Sequence, residues 1–437
     1  MNNPRTLIWI YFCLLLFEGA LRKWIVPQLD TPLLIIRDPL VMWIYLQSYK
    51  HGLSFDNVFF MPNIVLAIGT AVLATLFGDG NIAVTIYGLR TDYLQIPLIF
   101  LMPQILNRDD VIAMGRFILY VALPMTALVI LQFRSPVDSL VNKGAYITWY
   151  GTVRPSGTFS FIPGLVAFYS FTASFLFYGF LKSRTYQLWL LAAVSFCILI
   201  GSSCSGSRSC LISVGIVAVF AILCVVIRGK GGMGIMVAAA MMALLIPVLS
   251  TFSVFQEGTQ QLTQRFQDTA GQGEDAKGMV ARYAGSMTGP FDDLQDLPLF
   301  GHGLGIGTNA AAGMLRGQRE FIGPEAEWGR LFYECGSVFG SLLCIFRILL
   351  TFVIAKAAYD ALFRDNTLPM LIFASAGLLV LNGQWGVPTT LGFAIFGGGL
   401  ALAACVEPPE DEDYDDEEHH EHAEGETDHS TEADPVR

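Results

Sequence analysis

From residue 6 to residue 406 the chain alternates long apolar runs with short polar breaks. A run of about 20 apolar residues crosses the roughly 30 Å hydrocarbon layer as a helix. Twelve such runs are predicted, near 6–26, 32–49, 58–77, 81–106, 111–133, 161–181, 186–203, 208–228, 233–252, 328–357, 367–384 and 388–406. Long stretches with period-two alternation are absent, which argues against a barrel. In lipid every backbone polar group must be satisfied internally, and that leaves helices. The expected fold class is an all-α polytopic membrane protein of about 12 transmembrane helices, with one large loop, 253–327, between helices 9 and 10. Two runs are interrupted by charge, one by Arg37-Asp38-Pro39 and one by Arg90-Thr91-Asp92. Both are expected to be broken or re-entrant.

Basic residues orient the bundle, because short cytoplasmic loops collect Lys and Arg. Lys50, Arg108, Lys182, Arg184, Arg228, Lys230, Lys356 and Arg364 fall in alternate loops, on the side of Arg5. That side is expected to be cytoplasmic, with both termini on it, and the loop 253–327 periplasmic. Arg134, Lys143, Arg154, Arg208 and Arg282 fall on the opposite side. Cations kept there against the insertion rule suggest an anion to bind. The first run lacks a small-residue cleavage site and reads as a retained span, not a signal peptide.

Composition agrees with a membrane chain. The 437 residues are 53% hydrophobic and only 14% charged, against about 25% charged in soluble domains. The net charge of -11 is misleading, since residues 407–437 hold 15 of the 37 acids and one of the 26 basic residues. The rest carries 22 acids against 25 basic residues. Two parts follow: a membrane domain, 1–406, and an acidic tail, 407–437, too polar to bury a core and expected to be disordered and cytoplasmic. The eight cysteines show no CxxC spacing and read mostly as small hydrophobes. Cys204 and Cys210 bracket a polar turn; a disulfide there is the lesser alternative, open only on an oxidising side, and unpaired thiols are expected.

The polar island from Ser250 to Glu327 carries the candidate chemistry. It contains Arg282, a glycine run Gly301-His-Gly303-Leu-Gly305-Ile-Gly307, and Glu325 and Glu327 at the mouth of the next apolar run. Cations, a pliable backbone and paired carboxylates at a membrane surface suit an anionic, lipid-borne sugar. Residues 255–266 and 276–287 are expected to form short helices, the second carrying Arg282. Arg208 opens an apolar helix among serines, where its fork would grip a phosphate in two places; a snorkelling interfacial arginine is the plainer alternative. Arg154, in Arg154-Pro-Ser-Gly-Thr-Phe, precedes another run on the same side. Glu325 and Glu327 do not share a helix face, so at most one faces a site. A carboxylate at the edge of a low-dielectric pocket would serve as base for a sugar hydroxyl; compensation of the helix dipole is the alternative. Arg330 and Glu334, like Glu18 and Arg22, are spaced to pair at i, i+4.

Several motifs fail. No strand precedes the glycine run, so a dinucleotide fold is a poor reading. Outside the tail only His51 and His302 occur, which excludes a multi-histidine metal centre in the body. No cofactor, metal or nucleic acid is expected.

The ordered set Arg154-Pro-Ser-Gly-Thr-Phe, Ser205-Gly-Ser-Arg208, Arg282, Pro298-Leu-Phe-Gly-His-Gly-Leu-Gly305 and Glu325-Ala-Glu-Trp…Glu334-Cys-Gly336 resembles the bacterial O-antigen ligase and O-antigen polymerase superfamily, over residues from about 150 to 400. The N-terminal segments Phe17–Trp24 and Arg37–Pro39 look like a subgroup found among exopolysaccharide genes. The resemblance implies an inverting glycosyltransferase of the bacterial inner membrane. Such an enzyme polymerises or ligates undecaprenyl-diphosphate-linked oligosaccharide at the periplasmic face, without a nucleotide donor. It implies Arg208 and Arg282 as diphosphate ligands with Arg154 as helper, and Glu325 or Glu327 as base. Its partners would be the lipid-linked donor, a glycan or lipid acceptor, and polysaccharide-assembly proteins. Many ligases carry a histidine nine residues before the Glu-x-Gly; Glu325 stands there in this chain, which leans the expectation towards a polymerase or a divergent relative. Two other classes stay open. Broken helices also suit a transporter or flippase of lipid-linked glycan, and the acidic tail suits a non-catalytic scaffold, which alone would need residues 407–437.

Overall fold

The structure, a computed structural model, describes residues 3–29, 32–143, 146–147, 153–271, 276–292, 298–316 and 322–408. The acidic tail from 409 onward lies outside the described residues, and with it the expectation of disorder. The helices in chain order are α1 (Pro4–Ala20), α2 (Arg37–Lys50), α3 (Phe60–Phe77), α4 (Ile82–Leu89), α5 (Ile96–Ile105), α6 (Arg108–Arg134), α7 (Ile162–Leu181) and α8 (Leu188–Cys204). They continue with α9 (Arg208–Arg228), α10 (Gly232–Leu249), α11 (Ser253–Gly271), α12 (Ala276–Asp292), α13 (Asn309–Arg316), α14 (Glu327–Leu362), α15 (Leu368–Asn382) and α16 (Pro388–Ala403). One departure from all-α is a two-stranded antiparallel hairpin, β1 (Tyr146–Ile147) and β2 (Val153–Arg154), with Tyr146 opposite Arg154.

This is an all-α membrane architecture. Among the described residues seven helical segments are long and apolar enough to cross a bilayer: Pro4–Ile25, α3, α6, α7, α9, α10 and α14. Their outer faces expose large apolar side chains, such as Val65, Val72 and Leu76 on α3, Val219 and Val226 on α9, and Leu349 and Phe352 on α14. In water such contiguous faces would be aggregation surfaces; against lipid tails they carry no such penalty. α7 is buried nearly throughout and packs against α9, α15 and α6. Phe12 stacks on Phe396 of α16 at 4.7 Å between ring centroids, and Tyr11 on the same ring at 5.9 Å, geometries worth about 0.5–1.5 kcal/mol each beyond area burial.

Two sets of contacts tie the helix ends. At one end Arg5 pairs with Asp110 at 3.0 Å, the Arg108 amide donates to Val406 O at 2.9 Å, and Arg228 pairs with Asp365. At the other end Arg134 pairs with Glu257 of α11 at 3.1 Å, and Trp24 Nε1 donates to Leu140 O at 3.0 Å. The polar helices α11 and α12 collect there, and both form where sequence expected helices. Gly258 of α11 packs on the Ser203 backbone of α8, and Phe291 of α12 meets Trp328 and Phe332 of α14.

The interruptions at Arg37 and Arg90 are as sequence expects. Short 3-10 turns lead into α2 at Arg37, and a π-helical turn, Arg90–Leu94, separates α4 from α5. A second π turn, Leu21–Ile25, ends the first span. Freed backbone groups at such depth must find partners in protein. Cys204 and Cys210 are both buried free thiols, the reading favoured from sequence over a disulfide between them; Cys210 Sγ lies 3.4 Å from Ser202 Oγ.

Candidate functional site

Charges enclosed within an apolar bundle are costly unless paired, and five of them, Asp92, Glu327, Arg330, Glu334 and Arg347, form one connected set around the start of α14. Arg330 Nη2 donates to Asp92 Oδ1 at 2.6 Å and to Glu327 Oε1 at 2.9 Å, and Nη1 to Glu334 Oε1 at 2.9 Å. Arg347, one helical stretch further, donates to Glu327 Oε1 at 2.6 Å and to the carbonyls of Val380 and Gly383 at 2.9 and 3.0 Å. Its guanidinium lies 3.9 Å over the Trp385 ring, a cation–π contact in a desolvated setting. The expected Arg330–Glu334 pair is present, but as one edge of this larger set.

The glycine run is the second half of that arrangement. Gly336 adopts φ +74° inside α14, a conformation that favours glycine, and the helix breaks. The broken turn frees the carbonyls of Tyr333 and Glu334, which must be satisfied. His302 N–H donates to Tyr333 O at 2.9 Å and Gly303 N–H to Glu334 O at 3.0 Å. Gly305 and Gly307 N–H then donate to the Glu334 carboxylate at 2.7 and 3.1 Å. These amides are therefore committed within the protein. The run is a clamp on α14, not a pliable cradle for a sugar, which corrects the expectation from sequence.

A cavity of about 1210 Å³ opens between α2, α3, α4 and α5, closed on one side by Phe161, by Met314 of α13 and by Gly386–Pro388. Apolar side chains form most of its wall. Its polar groups include Arg22, Asp38, Asn63, Tyr87, Arg90 and Tyr93. Asp38 accepts from Arg90 Nε and, at 3.0 Å, from Gln95 Nε2. Arg37, behind it, donates to Glu18 Oε2 at 2.7 Å. Glu18 is thus spoken for by Arg37 rather than by the expected Arg22, whose Nη1 donates to Ser160 Oγ at 3.2 Å. The π turn at Leu21–Ile25 carries Arg22 away from the α-helical i, i+4 alignment.

The sequence-derived candidates lie at the α11–α12 end but among different neighbours. Arg208 is half-buried at the start of α9, its guanidinium 5.8 Å from the Phe266 ring of α11. Arg154 is half-buried on β2. Arg282 sits on α12, and its side chain lies outside the described residues. Glu325 is exposed, with its carbonyl accepting from Gln384 Nε2. Glu327 is only 2% exposed, and both its oxygens accept guanidinium protons. A sugar hydroxyl could reach Glu327 only by displacing an arginine, so of the two carboxylates Glu325 alone is open as a base. None of Arg154, Arg208, Glu325 and Glu327 belongs to the described lining of the cavity. Sequence reading missed Arg22, Asp38, Arg90, Asp92 and Arg347 as site groups. The available signal was charge inside apolar runs, which is costly enough to mark function or specific pairing.

Comparison with known protein families, with curated proteins and with solved structures finds no match to the chain.

Proposed function

We propose that the protein is a glycosyltransferase of the bacterial inner membrane that polymerises or ligates undecaprenyl-diphosphate-linked oligosaccharide at the periplasmic face. In this reading the chain crosses twelve times, α2, α4–α5, α8, α15 and α16 completing the set, with both termini cytoplasmic and 253–327 outside. The observation that supports it is that Arg208 opens α9 against Phe266 of α11, while the exposed Glu325 precedes α14, the helix on which the Arg282-bearing α12 packs. The acceptor hydroxyl oxygen attacks the anomeric carbon while the bond from that carbon to the diphosphate oxygen breaks. The hydroxyl proton passes to Glu325, and the lipid diphosphate leaves with its charge countered by Arg208 and Arg282, with Arg154 in support. Fixed cations act where charge develops, and removing one such group costs about 10²–10³ in rate. Purified protein supplied with lipid-linked donor should therefore lose turnover by that factor as Arg208→Ala or Arg282→Ala. Unchanged turnover in both variants would overturn the reading.

Buried charges at interrupted helices favour a second reading, a flippase for the same class of lipid. A deletion strain separates the two. Loss of an enzyme leaves glycan-bearing carrier outside the membrane, whereas loss of a flippase leaves it inside.

A further inference from the structure

The cavity between α2 and α5 joins two features that rarely coexist in a bundle. Its walls are mostly apolar and open to the surface, with Ile64, Ile68 and Ile86 among the lining. Its polar lining includes Arg22 and Arg90, side chains of residues only 7% and 8% exposed. Arg90 is fixed by Asp38 and by the Tyr87 ring, 4.9 Å from its guanidinium. Beside Arg22, Lys23 is 7% exposed and donates to Ser156 Oγ at 2.8 Å and Gly157 O at 3.1 Å. A small hydrated anion has no use for isoleucine walls, and the two guanidiniums of the lining outnumber its one carboxylate, Asp38. A molecule with an anionic head and an apolar tail satisfies both halves. Guanidinium forks match phosphate oxygens two at a time.

We infer that this cavity is a binding site for a phosphate-headed amphiphile, the head against Arg22 and Arg90 and the chain along Ile64, Ile68 and Ile86. Occupancy here does not depend on glycan transfer, and a binding measurement tests it whether or not transfer occurs. Two sources share the chemistry, an isoprenyl phosphate and a glycerophospholipid.

The test is native mass spectrometry of the delipidated full-length protein, titrated separately with an isoprenyl phosphate, phosphatidylglycerol and uncharged dioleoylglycerol. One or both phosphate lipids should bind at least tenfold more tightly than dioleoylglycerol, and the tighter of the two identifies the source. Arg22→Gln should weaken the phosphate lipid by about tenfold, the factor that corresponds to losing one charge-assisted hydrogen bond, and leave dioleoylglycerol unchanged. Ala67→Trp, which fills the apolar wall without touching a charge, should weaken the phosphate lipid by a similar factor or more. Equal affinity for charged and uncharged lipids in the wild type would overturn the site. So would wild-type affinity for the phosphate lipid in both variants.

Discussion

Arg330 and Asp92 are 238 residues apart and meet through two hydrogen bonds, at 2.6 and 3.2 Å. The π turn that breaks α4 from α5 presents Asp92, and α14 presents Arg330, so the pair locks an interrupted span to the longest helix. Around them stand three carboxylates, Asp92, Glu327 and Glu334, and two guanidiniums, Arg330 and Arg347.

That balance predicts an asymmetry. Arg330→Met strands three buried carboxylates with one remaining cation, and should destabilise by about 3–5 kcal/mol, the usual cost of breaking a buried pair. Asp92→Asn leaves two acids against two cations and keeps a hydrogen-bond acceptor, so it should cost clearly less. Thermal unfolding of the detergent-solubilised variants measures both. Equal losses would show that charge balance is not what holds the set.

Glu325 and Glu327 should separate by kind of defect. Glu325→Gln should lower transfer by about 10²–10⁴, the range for a lost general base, with an unchanged melting temperature. Glu327→Gln should lower the melting temperature, because it uncouples Arg330 and Arg347. A turnover assay paired with a melting curve on each variant reads the difference.

Gly305 tests the clamp. It sits at φ +87°, and a Cβ there would lie 2.4 Å from Val84 O and 2.8 Å from Gly88 N. Gly305→Ala should therefore fail to reach a monodisperse solubilised state or should melt far lower. Gly285→Ala on α12, with nothing within 4 Å of the added carbon, should be neutral or gain about 0.5–1 kcal/mol from helix propensity. Size-exclusion profiles distinguish the two outcomes.

Asp365 gives a pH dependence. The hydrogen bond from Arg228 holds its carboxyl below the ordinary carboxylate range. A lowered folded-state pKa contributes stability above about pH 4, the unfolded value, and that contribution fades as pH falls further. Because Asp365 is largely exposed, with 61% of its side chain accessible, screening limits the effect to under about 1 kcal/mol. Asp365→Asn should melt slightly lower than wild type at pH 7, and the two curves should converge below pH 4. A gap that persists at pH 3 would assign the effect to packing.

Much of the bundle was legible because lipid demands uninterrupted apolar runs, and charges within them marked the breaks at Arg37 and Arg90. Local spacing also exposed the Arg330–Glu334 pair. It misled for Glu18, because a π turn shifts Arg22 off the expected face and Arg37 arrives from another helix. Asp92–Arg330 leaves no local trace at all, since neither neighbourhood encodes the distance between them. The glycine run was visible, yet its task depends on a helix break at Gly336 about 30 residues on. Arg208 and Glu325 were legible as residue types, but the cavity was not, because its walls come from four helices that touch only in the folded chain.

The interlock of Gly301–Gly307 with the bend at Gly336 bears on how this protein can be altered. Excising the segment between α10 and α14 to leave a leaner bundle would strip the Glu334 side chain of both its amide donors, leaving it Arg330, and two main-chain oxygens of theirs, deep inside the molecule. Tags, insertions and deletions are better tolerated in the Ser183–Thr185 turn, which is tied to α6 by an exposed hydrogen bond from Arg116 to the Thr185 carbonyl at 3.4 Å.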